Sequence, residues 1–301
     1  MIDSIINCKN IEDADVLLLT IGYDRTASGG KGAVDGGMSI IKCLREDVEF
    51  FDRHTKTEPG YKYQIAHLDM GDINNLYPED MVSKVKNKYE SIYSNKKRFP
   101  IILGGEHSVS IGVFQAISEI ENPKAITILQ IDAHPDLRQD DSNANPDQTR
   151  PSPFAHCSVM RRAHEFGFNI VQVGIRSYSK EEYEFFTNSP ITVFEWGLGE
   201  NPTTQEIIES IKTDKVYIEI DVDGIDPAYL PATGTPVQGG LEWWYAVNLL
   251  NEIIKTKDIV GLGILEVSPV KDDVRTEYGS AQLCYNIISS LLFKRNNNPI
   301  I

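Results

Sequence analysis

The chain is poor in cysteine, and the few it has are scattered. Cys8, Cys43, Cys157 and Cys284 lie far apart and form no Cys-x-x-Cys pair, which excludes a disulfide framework or a zinc ribbon. No stretch approaches the roughly 18 uninterrupted apolar residues of a membrane span. The N-terminal Met-Ile-Asp-Ser-Ile-Ile-Asn has no basic region followed by an apolar core, so no signal peptide is expected. A reducing cytoplasm fits these absences. Basic residues are also short, with 29 Lys and Arg against 44 Asp and Glu and a formal net charge of -15. That balance argues against nucleic acid and anionic membranes as partners. It suits a small cationic substrate, although acidity also serves solubility. There is no Pro/Gly/Ser-rich linker and no internal repeat, so residues 1–301 are expected to form one domain.

Within this ordinary composition one stretch stands out, Asp132-Ala133-His134-Pro135-Asp136. It follows the apolar run 125–131, which has the length and β-branched content of a buried strand. Side chains alternate along a strand, so Asp132, His134 and Asp136 share a face if the extension continues past the strand end. Alone, Asp-x-His at a strand end is commonly a capped turn. Two further stretches repeat the design. Apolar 215–220 runs into Asp221-Val222-Asp223-Gly224-Ile225-Asp226-Pro227, and 98–103 runs into Gly104-Gly105-Glu106-His107-Ser108. In a parallel sheet such ends share one edge, where ligands bind.

The remaining pattern alternates strands and helices. Strands are expected over 15–20, 61–68, 169–174, 191–196 and 259–265. Helices are expected over 38–51, 78–93, 109–120, 179–186, 203–212, 243–254 and 280–293, with a further one beginning near 154 and reaching 166. Ser179 and Glu182 have the spacing of a capping box. About eight strands alternating with helices predict a three-layer α/β/α fold around a mostly parallel sheet, with a closed eight-stranded barrel as the alternative. Gly29, Gly30, Gly32, Gly36 and Gly37 follow the first strand without a phosphate-binding fingerprint, so they are expected to allow close backbone approach. The polar stretch 139–152 begins like a calcium loop at Asp141, Asn143 and Asn145. Pro146 and Ser152 occupy the places of the required Gly and Glu, so Asp140, Asp141 and Asp147 are expected to hold no calcium and the segment to form an active-site rim.

His107, Asp132, His134, Asp136, Asp221 and Asp223 offer four carboxylates and two imidazoles. Mixed nitrogen and oxygen donors suit manganese, with iron, zinc or cobalt open. Six ligands exceed the needs of one catalytic ion. They suit two ions about 3.5 Å apart with Asp132 and Asp221 between them, which predicts hydrolysis by activated water. His54, His67 and His164 lie outside the motifs and are expected to be ordinary surface or core residues. Arg161 and Arg162 are expected to be mainly solvated.

The combined motifs resemble the ureohydrolase superfamily of arginases and agmatinases. They are Gly-Gly-Glu-His-Ser at 104–108, Asp-Ala-His-Pro-Asp at 132–136, Asp-Val-Asp-Gly-Ile-Asp-Pro at 221–227, Gly-Thr-Pro-Val-Gln-Gly-Gly-Leu at 234–241 and Glu-Val-Ser-Pro at 266–269. The resemblance implies two manganese ions per subunit. One would be held by His107, Asp132, Asp136 and Asp221, the other by Asp132, His134, Asp221 and Asp223. It further implies His156 as a proton shuttle, Glu266 as the carboxylate that pairs with the guanidinium, and a homo-oligomer, trimer or hexamer. Glu106 stands where the family has Asp, which is expected to tune the metals without abolishing binding. Asp136-Leu137-Arg138 looks more like agmatinases than arginases, which have an Asn at the position of Arg138. Agmatine cleaved to putrescine and urea is therefore the expected reaction. Arginine, guanidinobutyrate and formiminoglutamate remain open, as does a non-catalytic metal-binding homologue with a regulatory role. A metallophosphoesterase is disfavoured because its own motifs are missing.

Overall fold

A computed structural model describes residues 4–142 and 151–297. Eight strands, β1 Val16–Gly22, β2 Ile65–Asp72, β3 Phe99–Leu103, β4 Ile126–Ile131, β5 Asn169–Ile175, β6 Thr192–Glu195, β7 Lys215–Asp221 and β8 Asp258–Leu265, form a single sheet. Its order is β2-β1-β3-β8-β7-β4-β5-β6, and every pairing is parallel. The sheet is open, with β2 and β6 at its edges, so the barrel alternative falls away.

Alternation along the central strands divides the core in two. Leu18, Ile101, Ile131, Ile218 and Ile264 face one layer: α1 Gly36–Glu46, α7 Thr204–Ser210, α8 Trp243–Thr256 and α9 Arg275–Asn297. Leu17, Ile102, Ile128 and Tyr217 face the other: α3 Pro78–Tyr93, α4 Val109–Ile120, α5 Val159–Phe166 and α6 Lys180–Thr187. The short helix α2 Pro59–Lys62 takes up the start of the segment expected to be a strand over 61–68. Pro59 at the first helical position favours that turn, and pairing with β1 begins only at Val16↔Ile65. The first and last helices also differ from expectation, the former ending at Glu46 and the latter starting five residues earlier at Arg275. The capping box at Ser179 and Glu182 is present as expected. Among the described residues no helix is long and apolar enough to cross a membrane.

The chain winds outward in opposite directions from the centre, as β3-β1-β2 on one side and β4-β5-β6 on the other. Such a reversal opens a crevice at the carboxyl ends of the strands. The inserted pair β8-β7 lies between β3 and β4, so the four strands that carry the motifs are adjacent. The glycines pack the loops around this crevice. A Cβ on Gly36 would lie 2.1 Å from Val267 O, and one on Gly104, at φ +78, would lie 2.1 Å from Gly37 N. Of the calcium-like stretch, Asn143, Asn145, Pro146 and Asp147 lie outside the described residues. Asp141 is turned inward, its Oδ1 accepting from Ser152 N at 2.6 Å.

Gly104→Ala is expected to destabilise the protein by at least ~2 kcal/mol, because left-handed strain and a backbone clash act together. The urea unfolding midpoint checks this, and an unchanged midpoint would refute the packing account.

Candidate metal centre

Three strand ends deliver the six expected ligands, and all but His134 are buried. Their convergence does not arise from continued extension past β4. The chain bends at Ala133 and His134, where His134 N donates to Asp132 Oδ1 at 2.6 Å. Asp136 then adopts φ +52, a left-handed conformation that costs a non-glycine residue about 1 kcal/mol or more.

Two groups of donor atoms result, each within 4.8 Å of one another: His107, Asp132 and Asp136, and Asp132, His134 and Asp223. In the first, His107 Nδ1 lies 2.8 Å from Asp136 Oδ2 and 3.3 Å from Asp132 Oδ2, with Asp221 Oδ2 at 3.6 Å. In the second, His134 Nδ1 lies 3.1 Å from Asp223 Oδ2 and 3.7 Å from Asp132 Oδ1. Asp132 thus turns one oxygen toward each imidazole. Asp221 Oδ1 accepts from Asp223 N at 3.0 Å, which leaves Oδ2 for the first group. Asp223 Oδ1 is held by Ala133 N at 3.0 Å.

The electrostatics show that these residues must share protons or a cation. Burial opposes charge on His107 and His134, yet contact with Asp132 and its neighbours outweighs it. His107 is raised well above the ordinary range and His134 to about 12. Asp132, between both imidazoles, stays ionised despite its burial. Burial and then repulsion from Asp132 push Asp136 up to about 7, and burial with neighbouring carboxylates raises Asp221 and Asp223. Without metal the cluster therefore collects protons. His107 Nδ1 is buried with carboxylate oxygens around it but no hydrogen bond of acceptable geometry among the described residues. An orphaned nitrogen facing three carboxylates is the donor set of a divalent transition ion, so the residues fit the expected metals.

A cleft of about 250 Å³ opens over this cluster, lined among others by Arg138, His156, Ser177, Thr235 and Glu266. His156 begins a short 3-10 turn, and its N donates to Thr26 Oγ1 at 3.0 Å. Burial and then the charges of His134 and His107 lower its imidazole to about 4, so it is neutral near pH 7. Glu266, just past β8, adopts φ +63 and accepts from His107 N at 2.8 Å. Glu106 does not face the ligands. Its Oε1 accepts from Thr26 N at 3.0 Å, Thr26 Oγ1 at 2.5 Å and Ser108 Oγ at 2.8 Å. Asp226 caps the following loop, accepting from Ala228, Gly239 and Gly240 N.

Sequence reasoning missed Thr26, Gln130 and Glu219. Gln130 Nε2 donates to Asp132 Oδ2 at 2.6 Å, and Glu219 Oε1 lies 3.2 Å from His107 Nε2. A polar residue inside each otherwise apolar strand, two before an aspartate, was the available signal. Arg162 also departs from expectation: it is buried and pairs with Glu165 at 2.9 Å, while Arg161 lies over the Phe185 ring.

Because divalent ions displace these shared protons, metal loading is expected to release protons, and apparent affinity to fall as pH drops from 8 to 6 through the raised range of Asp136. Calorimetric titration in two buffers of different ionisation enthalpy reads the released protons directly. Loading without proton release would contradict the account.

Known proteins share this arrangement of sequence and fold. A sequence model of the arginase family matches residues 14–290, which contain every residue of the site. The N(1)-aminopropylagmatine ureohydrolase of Synechocystis is 31% identical over 283 residues, covering 92% of this chain and 89% of that protein. The agmatinase of Pyrococcus horikoshii is 31% identical over 287 residues, covering 93% of each. The agmatine ureohydrolase of Thermoplasma volcanium superposes with a TM-score of 0.83 at 28% identity, over 99% of this chain and 97% of that one. A family match over most of the length, the same open sheet and relatives above 30% identity lead to one conclusion: the chain belongs to the arginase family of hydrolases.

Proposed function

We propose that residues 1–301 act as one catalytic domain, a two-manganese ureohydrolase that cleaves agmatine to putrescine and urea. The observation that carries the reading is Asp132, which turns one oxygen toward each of two adjacent donor groups. His107, Asp136 and Asp221 would complete one group, and His134 and Asp223 the other; Asp221 faces the first group through Oδ2, while its Oδ1, the atom left for the second, accepts from Asp223 N. When bound, the paired ions supply hydroxide near neutral pH.

The chain's own residues then do the rest. Glu266 holds the planar guanidinium by paired hydrogen bonds and aims its carbon at the cluster. The departing amine leaves readily only when protonated. A path through Asp223 or His156 delivers that proton, His156 being neutral and half-buried at the cleft. Arg138, in the cleft lining, lies 3.6 Å from Glu182, which offsets part of its charge. The net charge of -15 favours a cationic substrate. The named relatives include agmatinases and N(1)-aminopropylagmatine ureohydrolases, so a longer polyamine-bearing guanidine is the nearest rival. A cytoplasmic homo-oligomer acting in polyamine biosynthesis accords with this chemistry.

Urea release from a guanidine panel after manganese loading tests the reading. The expected outcome is a higher kcat/KM for agmatine than for arginine. A tenfold preference for arginine would overturn the substrate, and no urea from any guanidine would overturn the activity. His156→Ala is expected to keep both ions while slowing turnover by about 10- to 10,000-fold, the range of lost proton transfer and aligned contacts. An unchanged rate with full metal content would reduce His156 to a helix-start residue.

A further inference from the structure

Beneath the ligands a row of polar residues crosses the sheet inside the α3/α4 half of the core. Gln172 on β5, Gln130 on β4, Glu219 on β7 and Gly263 on β8 are successive register partners. Gln172 donates to Gln130 Oε1 and to Pro135 O, and Gln130 donates to Asp132 Oδ2. This part of the row supports the Asp132–Asp136 turn. Glu219 is different. It is fully buried, and neither carboxylate oxygen has a hydrogen bond among the described residues. A buried carboxylate left in that condition is costly unless a partner faces it.

The facing group is His107, whose Nε2 lies 3.2 Å from Glu219 Oε1. The sheet makes room for this contact. A Cβ at Gly263 would lie 2.3 Å from Glu219 Oε2, so any larger residue there would drive the carboxylate out of place. On the other side of the ring, Nδ1 faces Asp136, Asp132 and Asp221. A histidine whose two nitrogens face a buried carboxylate and a donor cluster has its tautomer decided by the carboxylate. His107 Nε2, like both Glu219 oxygens, has no hydrogen bond among the described residues, and Glu219 Oε1 at 3.2 Å is the acceptor within reach of a proton there, an arrangement that would turn the Nδ1 lone pair to the donor cluster.

We infer that Glu219 is a positioning residue of the metal centre: it accepts the Nε2–H of His107, fixes that ring and tautomer, and thereby strengthens the ion held by His107, Asp132, Asp136 and Asp221. The inference rests on the two-metal reading above. Glu219 touches no substrate and acts only through His107.

Two measurements on the full chain test it. Long-range nitrogen–proton NMR of the histidine-labelled protein, loaded with diamagnetic zinc in place of manganese, is expected to show His107 protonated at Nε2 and bare at Nδ1. A proton on Nδ1 overturns the inference without any variant. Manganese titration then compares Glu219→Leu, which keeps bulk without an acceptor, with Glu219→Gln, which keeps an acceptor oxygen. The Leu variant is expected to weaken one of the two binding steps by about 10- to 100-fold and leave the other near its original affinity, with the Gln variant recovering most of the loss. Unchanged affinity in the Leu variant, or an equal loss at both steps in both variants, would overturn the positioning role. If the Leu variant fails to fold, the NMR tautomer and the Gln titration still decide. Should the unaltered protein bind no ion, the two-metal reading itself falls. Two ions bound equally well by all three forms would remove only Glu219.

Discussion

Mutual repulsion among buried carboxylates is the constraint on which this molecule depends. Asp132, Asp136, Asp221 and Asp223 share one small volume, with Glu266 beside it and Glu219 beneath. Two imidazoles cannot neutralise so many acids. In a low-dielectric interior such an arrangement is tolerated only when protons or cations compensate it. The rest of the fold serves to hold the acids together against that repulsion. Backbone N–H groups of Ala133, His134 and Asp223 each grip a carboxylate, and Gln130 grips Asp132 from below.

The parallel sheet is well suited to the task. Its four central strands are buried on both faces, so their ends are fixed by two layers of helices rather than by one. Left-handed residues mark where the chain must depart from easy geometry, and two of the four non-glycine examples among the described residues, Asp136 and Glu266, lie in the site. Strain concentrated in the candidate site is maintained by the rigid surroundings that define it.

Much of this was legible in the sequence because it depended on short-range pattern. Apolar runs ending in His or Asp identified β3, β4 and β7, and helices α3 and α4 have the expected bounds at 78–93 and 109–120. What could not be read depended on contacts far apart in the chain. The start of β2 is set by its register with β1, and the length of α9 by the surface it covers. Glu219 is one polar residue in an apolar run, and only the placement of α4 against β7 reveals His107 above it. Thr26 gives no signal at all, since its partners lie 80 and 130 residues away. The bend at Ala133 and His134 was also hidden, because the pattern 132–136 is equally compatible with extension.

Thr26 has a consequence for how this protein can change over evolutionary time. One hydroxyl joins the Glu106 carboxylate to the backbone of His156, so three segments meet at a single oxygen. Glutamate reaches that oxygen because it is one methylene longer than aspartate, and shortening it would leave the loop hydroxyl and the buried carboxyl without each other. Residues in one such network do not vary independently. Exchange of glutamate for aspartate at 106 is therefore coupled in energy to the loop around Thr26, and a change that is costly with this loop can be neutral with another.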